Sequence, residues 1–349
     1  MSATWDLPDF DDHEGIHLFR DPDAGLSAII AVHSTHLGPA AGGVRFWHYP
    51  DSTGAITDAL RLSRGMSYKN AMAGLPMGGG KAVILADDDR TKTPEMLRAF
   101  GRAIEGLGGK YVTAEDVGMT DDDMVVIRGE TDHVSGLPVE SGAAGGDPGP
   151  YTALGVYLGV KAAAKHVLGN EDMTGVHVAI QGVGSVGGGL ARLLRKDGAQ
   201  ITLADVDSVR ATALAEEVGG DVVEPGAILS IDADIVSPCA LGAILDATSI
   251  AALNCKIVAG GANNQLAKRE DGQRIHDRGI LYAPDYVINA GGIINVGLEY
   301  LGQGDREEVE TRIGKIPERL EQVWLESEES GDPASDVADR IAQRLIGRG

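Results

Sequence analysis

One glycine-rich turn constrains this chain more than any other feature. Residues Gly182-Val183-Gly184-Ser185-Val186-Gly187 follow the apolar run Val178-Ala179-Ile180 and precede a helical stretch from Leu190 to Leu194. Gly182 permits the tight turn. Gly184 lets the backbone approach a pyrophosphate, and Gly187 lets the helix close on the strand, so the helix N-terminus faces the phosphates. The next apolar run, 201–206, carries Asp205, eighteen residues after Gly187. A carboxylate there accepts hydrogen bonds from the adenine ribose hydroxyls and repels a 2′-phosphate; Asp207 adds to that repulsion, so NAD is favoured over NADP. Strand signals at 176–181, 201–206, 234–238, 256–261 and 279–284 alternate with helical ones at 151–167 and 208–218. That alternation predicts a parallel, doubly wound sheet.

The first 135 or so residues also mix strand and helix signals. The apolar run 26–33 reads as a strand, and 55–73 has helical spacing through Ile56, Ala59, Leu60, Leu62 and Met66 before Gly74-Leu75-Pro76 ends it. Lys81 is expected to start a strand, Ala82 to Leu85, after three glycines. Thr93-Pro94 opens a helix with an N-cap and a proline at the first helical position. Residues 110–114 read as a strand, and Thr120 with Asp121 opens an acidic helix. Segment 141–150 has five glycines and prolines in its last six residues and is the best linker candidate. The tail 305–349 is charged and helical. With 349 residues, two α/β domains are expected.

Charge narrows the partners. The chain has 52 acidic residues against 30 Lys plus Arg, a formal net charge of −22. A surface this negative repels phosphate backbones, so no nucleic-acid partner is expected. No apolar stretch reads as a membrane span. The opening MSATWDLPDF lacks a basic region followed by an apolar run, and two cysteines make no disulfide framework, so a cytoplasmic location is expected. The excess is Asp-rich and Lys-poor, 32 Asp and 20 Glu against 10 Lys and 20 Arg. Such surfaces stay hydrated and dispersed when salt screens charge, which points to a high-salt cytoplasm.

Two of the ten lysines, Lys69 and Lys81, stand twelve residues apart in the apolar segment Met66 to Val83. A buried ammonium is costly unless paired or deprotonated, and two cations in a low-dielectric cleft push one towards neutrality, as a lysine general base requires. Two snorkelling surface lysines are the plainer alternative. A carboxylate candidate follows in Thr113-Ala114-Glu115-Asp116-Val117-Gly118. There is no Ser/His/Asp pattern and no metal-ligand spacing, so no metal is expected; His33 and His36 read as ordinary polar residues.

These residues lie within motifs that resemble the Glu/Leu/Phe/Val amino acid dehydrogenase family, most closely its leucine, valine and phenylalanine branch. The motifs are LGPAAGGVRFW at 37–47, ALRLSRGMSYKNAMAGLPMGGGKAVI at 59–84, YVTAEDVGMT at 111–120, IQGVGSVG at 180–187, SPCALGAILD at 237–246, AGGANNQL at 259–266 and YAPDYVINAGGIINV at 282–296. The resemblance implies that Lys81 is the catalytic lysine, Lys69 binds the substrate α-carboxylate, and Asp116 handles the amino-group proton. It implies that Gly42, Gly43 and Asn263 orient substrate and nicotinamide, and that Thr152 contacts the cofactor. The implied fold is a substrate-binding and catalytic domain over 1–138, with a C-terminal helix at about 327–349 packed back on it. A Rossmann-type NAD domain over 139–326 follows, with the active site in the cleft between. A homo-oligomer acting on a small amino acid is implied.

In the glutamate branch a lysine and a serine hold the substrate γ-carboxylate; the matching positions here are Ala41 and Val296. A pocket without a cation would bury that carboxylate unpaired, which disfavours glutamate. Ala114, Ile293 and Val296 resemble the leucine/valine branch, whereas Ala41 and the 75–80 segment resemble the phenylalanine branch. A branched-chain substrate is the expectation, with phenylalanine or another aromatic, or a non-catalytic NAD-binding homologue, as alternatives. The acidic surface generates its own test: the melting temperature is expected to fall on dialysis from molar KCl into low salt, and an unchanged value would sink the high-salt reading.

Overall fold

The computed structural model describes residues 4–7, 9–89, 91–137, 144–303 and 305–348. The expected boundary at 138/139 and residues 141–143 of the linker candidate lie outside them. The chain divides into two compact units, Met1–Gly146 with Ile293–Val309 and Ala342–Gly349, and Asp147–Gly292 with Glu310–Ile341.

The first unit is built on β1 (Gly15–Asp21), β2 (Leu26–Ser34), β3 (Ala40–Ala41), β4 (Val44–Trp47), α1 (Ser52–Met72), β5 (Gly78–Leu85), α2 (Pro94–Glu105), β6 (Tyr111–Val112) and α3 (Asp121–Arg128). Its sheet runs β1-β2-β5-β3-β6, with β4 also paired to β5. The hairpin β1–β2 and the β2–β5 pair are antiparallel; β3 and β4 lie parallel to β5. Strand β2 reads as a continuous apolar run because both its faces are covered. Ala28, Ile30 and Val32 pack with Met96, Phe100, Met124 and Ile127, while Ile29 and Ala31 pack with Ala55, Ala59 and Leu60 of α1. Strand β1, half-exposed and at the sheet edge, gives no such run and escapes sequence reading.

Helix ends follow their caps. Asp51 accepts from Gly54 N at 2.8 Å, which starts α1 three residues before its apolar spacing does. Thr93 caps α2 with Pro94 behind it and Thr120 opens α3, both as the sequence predicts, and Asp123 completes a capping box with Thr120.

One local reading is corrected. Gly78, Gly79 and Gly80 are not a loop before a strand; they are its first three residues. A Cβ on Gly79 would collide with the backbone N of Ser67 in α1, one on Gly78 with the carbonyl of Ser34, and one on Gly80 with the Tyr111 ring. The glycines let a helix and two neighbouring strands close on β5.

The second unit comprises α4 (Gly149–Leu168), β7 (His177–Gln181), α5 (Ser185–Lys196), β8 (Gln200–Ala204), α6 (Ser208–Val218), β9 (Asp221–Val222), β10 (Ile235–Pro238), α7 (Ala247–Ala252), β11 (Ile257–Val258), α8 (Glu270–Asp277), β12 (Leu281–Tyr282) and α9 (Asp285–Ile288). The chain then runs through α10 (Gly291–Tyr300), α11 (Arg306–Ile313), α12 (Ile316–Ser330) and α13 (Ala334–Leu345). The sheet order β9-β8-β7-β10-β11-β12 is parallel throughout, which is the doubly wound Rossmann order. In this unit Trp324 of α12 is buried and donates to Tyr282 O at 3.0 Å. Residues from Ile293 through α10, and from Ala342 to the C-terminus, belong to the first unit, where Gln343 donates to the Tyr68 hydroxyl at 3.0 Å. Among the described residues no helix is long and apolar enough to cross a membrane.

The close approach of α1 to β5 yields a stability prediction. Gly79→Ala is expected to cost about 3 kcal/mol, as overpacking with backbone displacement does. A chemical-denaturation midpoint equal to wild type would show that α1 can shift freely.

Candidate active site and dinucleotide loop

Lys81 lies in the middle of β5 and is 6% exposed. Its Nζ is 2.8 Å from Asp116 Oδ2. Burial lowers the basicity of Lys81; Asp116 opposes this without cancelling it. Asp116 stands in the segment after β6. Burial pushes its carboxyl up, but Lys81 and Arg45 outweigh that and hold it below the usual carboxylate range. Lysine and carboxylate thus form a close pair, the amine buried and the carboxylate partly so, in which burial disfavours the ammonium form.

Of the other sequence-nominated positions of the first unit, Gly42 and Gly43 come closest to this pair. Gly42 and Gly43 join β3 to β4. A Cβ on Gly42 would collide with Gly80 O, and one on Gly43 would come within 2.5 Å of Glu115 O and 3.0 Å of the Asp116 Cβ. Their backbone therefore runs directly against the residues flanking Lys81 and Asp116. Tyr111 donates to Gly42 O at 2.5 Å and fixes that turn. Lys69 is in the last turn of α1, the helix that closes on β5 through Ser67 and Gly79. Ala41 packs with Leu75, Met77 and Val112, and Ile293 of α10 lies against the same cluster. Val296, one turn on in α10, and Ala114, after β6, are each partly buried.

Three features of the first unit escape the sequence reading. Arg45 donates to Asp116 Oδ2 at 3.0 Å and to Asp58 Oδ2 at 2.8 Å, and Tyr49 donates to the same Asp58 oxygen at 2.6 Å. Arg45 stands inside the quoted LGPAAGGVRFW motif, two residues after Gly43, so its position carries a signal. Asn70 is buried and donates to Gly78 O at 2.6 Å, tying α1 to β5. His33, read as an ordinary polar residue, is fully buried. Its Nδ1 is 2.7 Å from Ser67 Oγ, and its Nε2 is 3.2 Å from Asp11 and 2.7 Å from Arg348.

The remaining candidates are in the second unit. Gly182 turns the chain out of β7 with φ +87°, in the left-handed region that favours glycine. Gly187 leaves no room for a Cβ against Gly182 O, whereas nothing stands near Gly184. Gly184 is the N-cap of α5 and offers no side-chain cap, so the N–H groups of Ser185, Val186 and Gly187 open a twelve-residue helix without one. Backbone N–H groups so placed suit an anion. Asp205, after β8, accepts from Val183 N at 2.7 Å and from Asp207 N at 2.9 Å. Burial pushes its carboxyl up, and those donors with Arg210 outweigh it, so it stays ionised. Arg210 itself pairs with Asp207 at 3.1 Å. Thr152, in the first turn of α4, donates to Pro148 O at 2.9 Å. Asn263 is exposed after β11, and its Oδ1 accepts from Asn289 at 2.8 Å.

A Rossmann unit with an open glycine loop, and in the same chain an α/β unit in which a buried lysine is paired with an aspartate, are the features of the class of dinucleotide-dependent dehydrogenases. Residues 13–133 match the family model described as Glu/Leu/Phe/Val dehydrogenase, dimerisation domain, and residues 202–346 that of glutamate/leucine/phenylalanine/valine dehydrogenase. The chain belongs to this family of amino acid dehydrogenases. It is 48% identical to a leucine dehydrogenase of Bacillus subtilis, over 97% of this chain and 92% of that one. It is 44% identical to a valine dehydrogenase of Streptomyces virginiae, over 96% and 94%. The crystal structure of an L-tryptophan dehydrogenase from Nostoc punctiforme superposes with a TM-score of 0.87 at 42% identity, covering 96% of each chain.

Asp205 gives this site its prediction. Asp205→Ala is expected to narrow the ratio of kcat/KM with NAD to that with NADP at least tenfold, since a hydrogen bond to a charged group is worth roughly 1.5–3 kcal/mol. An unchanged ratio would remove Asp205 from cofactor choice.

Proposed function

We propose that this chain catalyses the reversible, NAD-dependent oxidative deamination of a branched-chain L-amino acid, leucine, valine or isoleucine, to its 2-oxo acid and ammonia. The observation that carries the substrate class is the cluster of Ala41, Leu75, Met77 and Val112 with Ile293 against it. An apolar wall there suits an aliphatic side chain and gives a distal carboxylate no counter-ion. Relatives named leucine and valine dehydrogenase support the same class.

Lys69 holds the substrate α-carboxylate by a charge-assisted hydrogen bond. The Gly42-Gly43 backbone lines that side of the site, and Asn263 and Thr152 meet the cofactor. When bound, NAD+ would supply the acceptor for the hydride of the substrate Cα, which becomes an iminium carbon. Lys81, neutral at this stage, takes a proton from a water as its oxygen adds to the iminium carbon. Asp116, having first taken a proton from the substrate ammonium, returns it to the nitrogen as the C–N bond breaks. The carbinolamine hydroxyl proton leaves with the ammonia as ammonium, Lys81 releases its proton to solvent, and the 2-oxo acid is left behind. NAD rather than NADP is the cofactor because Asp205 stands ionised behind the glycine loop. A cytoplasmic homo-oligomer adapted to high salt completes the reading. Its support is the family's dimerisation-domain match over residues 13–133 and the net charge of −22.

A second reading has its own observation. A relative 43% identical to this chain is named L-tryptophan dehydrogenase, and Ala41 is a small residue in the cluster that Ile293 narrows. The deciding measurement is NADH production at molar KCl with leucine, valine, isoleucine, phenylalanine, tryptophan and glutamate offered separately. The branched-chain acids are expected to give the highest kcat/KM, by about tenfold or more over the aromatic ones. A preference for an aromatic acid would show that Ala41, not Ile293, governs the pocket.

A further inference from the structure

We propose that Arg45 is a positioning residue for the reaction: held by Asp58, it shares Asp116 Oδ2 with Lys81 and so sets how readily Lys81 gives up its proton. The inference rests on the roles proposed above for Lys81 and Asp116 and goes beyond them.

The geometry is a chain of alternating charges within the first unit. Lys81 Nζ lies 2.8 Å from Asp116 Oδ2, and Arg45 Nε donates to that same oxygen at 3.0 Å. The other end of the guanidinium, Nη1, donates to Asp58 Oδ2 at 2.8 Å. Asp58 is held in turn by the Tyr49 hydroxyl at 2.6 Å and by Arg61 at 2.9 Å on its second oxygen. Every partner but Arg61, which is 44% exposed, lies largely out of water, with side-chain exposures of 7% for Lys81, 22% for Arg45, 23% for Asp116 and 15% for Asp58. At such sites charges are screened far less than on the surface.

A lone lysine–aspartate pair would be self-defeating for a base. The carboxylate that holds the amine also stabilises its ammonium form. Arg45 solves this by drawing on the same carboxylate oxygen, so Asp116 divides its charge between two cations. The direction of each titration agrees. Burial lowers Lys81, Asp116 and Asp58 raise it, and Arg45 lowers it further. Arg45 itself stays charged, since Asp116 and Asp58 more than offset its burial.

The groups around the couple come from three directions. From α1 comes Asp58, with Arg61 behind it. From β4 and the residues after it come Arg45 and Tyr49. From β6 and the residues after it come Tyr111, whose buried hydroxyl stays protonated well above neutral pH, and Glu115 with Asp116. Tyr49 is pushed up as well, so it acts as a donor to Asp58 and not as an anion.

The sign follows. A lysine base works when neutral, so kcat/KM rises with pH through the Lys81 titration. Removing Arg45 leaves Asp116 wholly to the ammonium, and the rise moves to higher pH. Removing the charge of Asp58 takes away an anion that favours the ammonium, and the rise moves to lower pH.

The test is the acid limb of the kcat/KM profile for leucine in the deamination direction, for wild type, Arg45→Gln, Arg45→Lys and Asp58→Asn. The substrate's own titration is common to all four, so only differences between them are read. Arg45→Gln is expected to shift the limb up by about one pH unit, a tenfold loss on the acid side that recovers at high pH. Arg45→Lys keeps a cation and is expected to shift less. Asp58→Asn is expected to shift the limb down. An unshifted limb in Arg45→Gln, equal shifts in both Arg45 variants, or shifts of the same sign in Arg45→Gln and Asp58→Asn would each overturn the inference. Lys81→Ala in the same assay separates the two claims. Retained turnover there would overturn the role of Lys81 itself, whereas no turnover there with an unshifted Arg45→Gln limb overturns the Arg45 inference alone.

Discussion

A lysine amine in the middle of a sheet covered on both faces is the constraint around which the first unit is arranged. Desolvating an ammonium costs several kcal/mol unless a partner and good geometry offset it. Asp116 supplies the partner, but only because its segment comes close, and close approach needs residues without side chains. Gly42, Gly43 and Gly80 serve this end: each stands where a Cβ would crowd the neighbouring backbone or ring. Gly79 does the same for α1, the helix that carries Lys69. The glycines so frequent around these motifs are therefore part of the electrostatics. They determine which charged groups can be brought within hydrogen-bond distance of Lys81.

The second unit solves a different electrostatic problem with the same residue type. It presents N–H groups at the start of α5 and an ionised carboxylate a few residues away, in Asp205. The two have opposite preferences, one for a diphosphate and one against a further phosphate on the ribose. Asp205 does not stand alone at the strand end. By accepting from Val183 N it also holds the glycine turn in shape.

Much of this was legible in the sequence, for definite reasons. Helix starts at Pro94, Asp121 and Ser208 were readable because Thr93, Thr120 and Asp207 provide side-chain caps whose chemistry is local. Five of the six strands of the doubly wound sheet were readable because burial on both faces leaves them mostly apolar, whereas the exposed edge strand β9 was not. What escaped has a common cause, dependence on partners distant in sequence. Strand β1 is an edge with mixed exposure, so its pattern is indistinct. Gly78 to Gly80 look like a loop until Ser67, Ser34 and Tyr111 are seen against them. Arg45 reaches Asp116 across 71 positions, and His33 meets Arg348 across 315. No window of sequence contains either pair. The resemblance to a known family pointed to Lys69, Lys81 and Asp116 through their motifs; it said nothing of the arginine between Asp116 and Asp58.

The cations of the first unit stand in contrast with the chain's net charge of −22. An amino acid approaches as a zwitterion whose carboxylate must pass through the field of an acidic surface. At low ionic strength that field extends tens of Å and disfavours the carboxylate. At about 1 M salt the Debye length is ~3 Å, and only contacts at hydrogen-bond range survive. The buried ion pairs are the ones least altered by that screening. Lys81, Asp116, Arg45 and Asp58 keep their mutual influence because they are largely out of water, while the surface carboxylates lose theirs. An acidic exterior and a finely balanced charge couple inside are thus compatible in concentrated salt, where the exterior no longer imposes its potential on the site.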